Sequence, residues 1–233
     1  MVYNGCMKEA GTTRPHGGKD MGKNAEKARA AKIVALLKEE YPEAECSLTY
    51  GVDWQLLFAT RLSAQCTDER VNMITPELFS RWPTLEAMAA ADIGELEQVI
   101  HSCGFFRSKA RDIKACSAAL LEKHGGVVPD TMEELLALPG VGRKTANLIL
   151  GDIYGKPAIV ADTHCIRISN KLGLAHTKDP HGVENELREL IEPSEGNNFC
   201  HRLVLHGRAV CSARSPACDK CVLAPLCPGK ANG

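Results

Sequence analysis

Apolar residues recur along this chain at helical spacing and almost nowhere at the alternating spacing of a strand. Ile33, Val34, Leu37 and Tyr41 share one face of a segment that Asn24 can cap and Pro42 closes. Asp53 reads as the cap of a strongly apolar helix running to Gln65, and Thr67 or Asp68 opens another reaching Ile74. Thr75-Pro76 predicts a new start, a cap followed by proline at the first helical position, with that helix ending near Trp82. Short helices follow Thr84 and Asp92, the second ended by Gly104. Residues 107–124 form a long helix stopped by Gly125-Gly126.

Thr131-Met-Glu-Glu134 is a T-x-x-E capping box for a short helix that Pro139 and Gly140 terminate. Gly140 and Gly142 make a two-glycine hairpin, and a second helix with an apolar face follows to about residue 155. The apolar run 158–161 is too short to be a sheet by itself. Asp162 caps a helix through Leu172, and segments 183–191 and 197–211 complete the set. About a dozen short helices with compact loops define an all-α protein.

Residues 1–23 are rich in Gly, Lys and Thr without hydrophobic periodicity and are expected to be a disordered tail. Beyond them, 44% hydrophobic and 24% charged residues in 233 describe an ordinary globular chain able to bury a core. The net charge of -1 says nothing about a polyanionic partner, but its distribution does. Segment 140–174 carries a local net of +3 and segment 197–230 a net of +4, while acids collect at 86–97 and 184–195. No apolar leader or membrane-length segment is present, so an intracellular, cytoplasmic protein is expected and the eleven cysteines are not read as disulfides.

Candidate chemistry concentrates in LPGVGRKTANLIL, 138–150. Arg143 and Lys144 put two cations in a first helical turn, where the macrodipole favours anions. An incoming phosphate would reverse that mismatch, because glycine-hairpin and helix-start N–H groups bind anions. An amine beside a positive helix end and a second cation has its ammonium form disfavoured, which leaves more of Lys144 available as a nucleophile. The helix after Arg143 is about 18 Å long and the following segment can reach back about 23 Å, so Asp162 can return to the side of Lys144. Amine and carboxylate then form a candidate nucleophile and acid/base pair, although an aspartate at that position also serves simply as a cap.

Near the end, Cys211, Cys218, Cys221 and Cys227 form a C-x6-C-x2-C-x5-C set among prolines, which is the donor composition of a metal centre. Four-cysteine zinc is the ordinary alternative. Only Cys218 and Cys221 make a C-x2-C knuckle, however, and that spacing leans to a [4Fe-4S] cube.

LPGVGRKTAN, the downstream ADTH, the four-cysteine tail, RLSAQCTD from Arg61 and GFFRSKA from Gly104 occur here in one order. Together they resemble endonuclease III, the bifunctional DNA glycosylase and abasic-site lyase of the helix-hairpin-helix superfamily, over residues 25–228. The resemblance implies a two-domain glycosylase fold. One domain is a six-helix unit at 46–156 containing the hairpin, and the other is a discontinuous helical unit, 24–45 with 157–233, bearing the cluster loop 211–227. It implies that Lys144 attacks C1′ of a damaged pyrimidine nucleotide or abasic site in duplex DNA and forms a Schiff base that undergoes β-elimination, with Asp162 assisting. Gln65 is then the residue filling the gap left by the extruded nucleotide, and Phe105 the wedge beside it, standing where leucine is common. Gly140, Gly142, Arg143, Thr145, His164 and Arg214 are implied DNA contacts, the four cysteines ligands of a [4Fe-4S] cluster, and the protein a monomer acting near the nucleoid if bacterial. Alternatives within the fold are a monofunctional adenine or mismatch-thymine glycosylase, which lack a lysine at the position of Lys144. Outside it stand a non-catalytic DNA-binding module, or an iron-sulfur electron carrier, which needs no phosphate-binding hairpin.

Overall fold

The computed structural model describes residues 17–232, and among these every regular element is helical. In chain order the α-helices are α1 (Gly17–Glu40), α2 (Asp53–Leu62), α3 (Asp68–Arg81), α4 (Leu85–Ala90), α5 (Ile93–Val99) and α6 (Phe106–His124). They continue with α7 (Met132–Leu136), α8 (Arg143–Asp152), α9 (Thr163–Lys171), α10 (Pro180–Leu190) and α11 (Gly196–Ala209), after which short 3-10 turns carry the tail.

The helices sort by what they bury against. α4 and α5 lie on α6, α2 touches α3, α6 and α8, and α7 packs on α8. α1 rests on α10 and α11, α9 on the same two, and α11 also reaches across to α8. One core runs through all of them, from Ile33 and Leu37 through Phe58, Leu96 and Ile113 to Ile149, Ile168, Phe199 and Leu203. Among the described residues no helix is long and apolar enough to cross a membrane.

Three sequence expectations are corrected. α1 begins at Gly17 rather than Asn24, so residues 17–23 of the expected tail are helical; residues 1–16 lie outside the described part. Lys23 pairs with Glu189 of α10 at 2.8 Å, a tertiary contact that composition cannot announce. Asp53 is the first helical residue of α2 and not its cap, a position occupied by Val52 without a side-chain bond; its charge there still suits the helix dipole. Most clearly, Thr75-Pro76 starts nothing, because Pro76 sits inside the continuous α3. Val71, Ile74, Thr75 and Leu78 stay buried on one side through the proline, while Pro76 itself is exposed. The missing N–H therefore falls on the wet face, where water can satisfy the orphaned carbonyl.

Candidate active site and metal centre

The hairpin between α7 and α8 is shaped before it reaches any ligand. Thr131 accepts from the Glu134 N–H at 3.3 Å and donates its hydroxyl to the Glu134 carboxylate at 2.6 Å, so the capping box forms through the hydroxyl. Gly140 has φ +73, and a Cβ there would lie 2.7 Å from that of Asp112. Asp112 is fixed in turn by Arg61, paired at 2.6 Å. A left-handed turn pressed against an ion pair admits only glycine. Gly142 occupies the cap of α8 with no side-chain hydrogen bond, which leaves the first-turn N–H groups uncapped by protein side chains.

Lys144 is exposed in that first turn and Thr145 is buried behind it. Arg143 departs from the expected picture. Its guanidinium holds the Glu184 carboxylate of α10 at 2.6 and 3.0 Å, and Arg188 joins the same carboxylate at 3.1 Å. The misplaced cation is answered by a buried carboxylate while 41% of its own side chain stays exposed, and Lys144 stands exposed beside it. Burial alone would raise the Glu184 carboxyl, but the two guanidinium groups more than offset this and hold it below its ordinary 4.5.

Asp162 caps α9, accepting from the Cys165 N–H at 2.7 Å, as its sequence position predicts. His164, two residues on, has its imidazole pushed below the usual range chiefly by burial, with Arg167 adding to the effect and Asp162 opposing it. Arg167 can only donate, so its 3.2 Å contact makes His164 Nδ1 an acceptor and puts the proton on Nε2. α11 presses close at this point: a Cβ on Gly207 would lie 2.3 Å from that same Nδ1.

Among the described residues Lys144 and Asp162 share no hydrogen bond or ion pair, and only intermediate groups feel charges from both sides. Cys46 feels both the Lys144 ammonium and the Asp68 carboxylate, while His164 feels both Asp68 and Asp162. Asp68 begins α3 and pairs with Arg208 of α11 at 2.7 Å, which ties the two groups of helices together beside the site. Asp68, Arg208, Arg167 and Glu184 are the participants missed in the sequence. Asp68 stands inside the quoted RLSAQCTD but is legible there only as a helix-start acid. Its partner is 140 positions away.

Gln65 and Phe105 are the two non-glycine residues of the described chain with positive φ, at 54 and 46. Gln65 was expected to end α2, but the helix stops at Leu62 and Gln65 stands exposed in the following loop. Phe105 occupies the cap of α6 in the left-handed region and is 67% exposed. A large exposed aromatic in strained backbone is an outlier that surrounding structure must hold in place.

Cys211, Cys218, Cys221 and Cys227 line a small apolar recess together with Lys171, Val210, Pro216 and Ala224. Arg167 Nη1 donates toward Cys211 Sγ at 3.8 Å, and His206 Nε2 lies 3.4 Å from Cys221 Sγ. Burial pushes the His206 imidazole below its usual range, and Tyr41 meets its other nitrogen at 3.1 Å. Among the described residues no three His, Cys, Asp or Glu side chains converge as ligands of one ion. Arg214 is exposed on the loop between the first two cysteines, on a turn closed by Ser212 bonding Ser215 O at 2.6 Å and accepting from its N–H at 3.1 Å.

A glycine hairpin opening onto an exposed lysine, an aspartate-capped helix and a four-cysteine recess are the features on which the class rests. The chain belongs to the HhH-GPD superfamily of base excision DNA repair proteins, whose pattern matches residues 58–193. Within that class it belongs to the endonuclease III family. It is 50% identical to endonuclease III of Synechocystis sp. over 88% of this chain and 94% of that protein. Identity to endonuclease III of Escherichia coli strain K12 is 39%, covering 88% and 97%. A solved structure described as a trapped endonuclease III-DNA covalent intermediate superposes with a TM-score of 0.84 at 40% identity, covering 88% of this chain and 97% of that one. A thermostable thymine-DNA glycosylase shares the fold at 19% identity and a TM-score of 0.81.

Proposed function

We propose that this chain, a base excision DNA glycosylase and abasic-site lyase by family, excises oxidised pyrimidines from duplex DNA through covalent catalysis by Lys144. The exposure of Lys144 in an uncapped first helical turn, beside an Arg143 whose charge is paired with Glu184, carries the reading. Backbone phosphate docks on the hairpin N–H groups around Gly140, Gly142 and Thr145, with Arg214 and His164 as further contacts. The damaged nucleotide leaves the stack because C1′ is closed to an amine inside a duplex. Gln65 fills the gap and Phe105 wedges the neighbouring step.

The neutral Lys144 amine attacks C1′ as the glycosidic bond breaks, and the base departs with the bonding electrons and takes up a proton. Loss of a proton from the nitrogen and opening of the sugar ring give an iminium. Abstraction of a C2′ proton then expels the 3′ phosphate by β-elimination, and water releases the enzyme. Asp162 supports the positive charge that develops on the sugar and exchanges protons with the amine. The trapped covalent intermediate of a 40% identical relative supports a covalent route.

The four cysteines are proposed to hold a [4Fe-4S] cluster that shapes the Arg214 loop. The spacing of the four cysteines, with only one C-x2-C knuckle, supports the cluster over a zinc site built from two such knuckles, and Arg167 stands behind Cys211 as a donor. The curated relatives are bacterial, which supports a cytoplasmic site of action on the chromosome.

Borohydride reduction with duplex DNA bearing an abasic site or thymine glycol should yield a covalent adduct, and Lys144→Gln should abolish it while retaining binding. Undiminished trapping in that variant would reject Lys144 as nucleophile. Iron and acid-labile sulfide in anaerobically purified protein test the cluster; zinc without sulfide would overturn it.

A further inference from the structure

Lys109 is fully buried on α6, with 0% of its surface exposed, and among the described residues no carboxylate pairs with it. Its ammonium is satisfied by two backbone carbonyls from different parts of the chain: Leu62 O at 2.8 Å and Cys103 O at 2.7 Å. Each of these ends a helical segment, α2 in one case and the 3-10 turn His101–Cys103 in the other. Helix C-termini present unsatisfied carbonyls and the negative end of the dipole, so one ammonium serves two such ends.

The position of those ends gives the contact its meaning. Leu62 stands three residues before Gln65, and Cys103 two residues before Phe105. The two left-handed residues of the described chain are therefore each suspended just beyond a carbonyl held by Lys109. The Lys109 backbone N–H also donates to Phe105 O at 3.1 Å, so one residue grips this loop on both sides of its aromatic. The same two loops also bring Cys66 within electrostatic reach of Cys103. A strained conformation persists only where neighbouring structure over-determines it, and Lys109 is the group common to both.

We infer that Lys109 is a positioning residue that locks the Gln65 and Phe105 loops into one rigid two-pronged wedge, so that nucleotide extrusion depends on a side chain that never touches DNA. This rests on the proposed roles of Gln65 and Phe105. Arginine cannot reproduce the geometry, because its planar fork is longer and projects donors in fixed directions where the lysine offers a compact, rotatable point.

The test compares two substrates. Thymine glycol paired with adenine in a duplex must be extruded, whereas an abasic site in single-stranded DNA has no base to push out. Lys109→Arg and Lys109→Met should slow single-turnover excision of the paired lesion by on the order of 10- to 100-fold, the scale of an ångström-sized misplacement, while borohydride trapping on the single strand changes less than about threefold. Gln65→Ala should show the same selectivity, and combining it with Lys109→Arg should add little, since both disable one device. Equal losses on both substrates, losses that multiply in the double variant, or failure of both Lys109 variants to fold would overturn the inference by reducing Lys109 to general support. Absence of trapping by the unaltered protein would instead reject Lys144 catalysis, a separate result.

Discussion

Burial pushes the thiols of Cys46 and Cys116 up to about 12, and burial together with the Cys66 contact does the same to Cys103. At pH 7.5 fewer than about one in 10,000 of each would be thiolate, the reactive form. Iodoacetamide at that pH should leave all three unmodified in the folded protein, as peptide mapping by mass spectrometry would show. Rapid labelling of any of them would mean that the pocket opens. Asp162 poses a different residue-scale question, because one carboxylate caps α9 and is also the proposed partner of Lys144. Asp162→Asn keeps a good cap and should cost under about 1 kcal/mol of stability, yet turnover should fall steeply. Measured unfolding and single-turnover rates separate the two effects, and a large drop in melting temperature with unchanged turnover per folded molecule would reduce Asp162 to a cap. Its role as a cap was legible in the sequence, whereas the commitment of Arg143 to Glu184 was not. The acid lies 41 positions away, on a helix whose placement no local pattern fixes.

At the scale of elements, what could be read depended on whether local chemistry or packing decided the boundary. The starts at Thr84, Asp92, Thr131 and Asp162 were legible because each side-chain oxygen accepts a backbone N–H in its own first turn. Pro76 misled because burial on both sides of it carried α3 through a position that locally looks like a start. Close approach of helices was equally invisible. Gly207 reads as a weak helix residue, but the structure places it where α11 meets His164. Gly207→Ala must push the two helices apart or displace the imidazole, and should cost about 1–3 kcal/mol of overpacking together with a fall in activity. Urea unfolding and excision rates would reveal it; a neutral or stabilising effect, as expected for Gly to Ala in an open helix, would show that the contact can relax.

Over the whole molecule, the shared core that joins α1 and α9–α11 to the remaining helices is supplemented by specific bridges, among them Arg208 to Asp68 and Arg143 to Glu184. Glu184 has only 2% of its side chain exposed, so protonating it leaves two guanidinium groups without their counter-charge. Its carboxyl is held below the ordinary 4.5 in the folded protein. The stabilisation is thus fully present above that value and is lost as pH falls through the lower, folded one. Unfolding free energy should decline on acidification below about pH 4.5, and Glu184→Gln should be less stable at neutral pH with a flatter acid limb. An acid limb unchanged in that variant would place the linkage elsewhere.

Periodicity, caps and the order of five motifs determined, by themselves, the all-α class, the hairpin, the candidate nucleophile and acid, and the four cysteines. Those are properties of residue type at short spacing. Only the tertiary structure decided that Arg143 pairs with Glu184, that Asp68 pairs with Arg208, and that Lys109 reaches the carbonyls beneath both strained loops. Each of those is a charge satisfied by a distant group. Burial makes such pairing obligatory, but only the folded chain selects the partner.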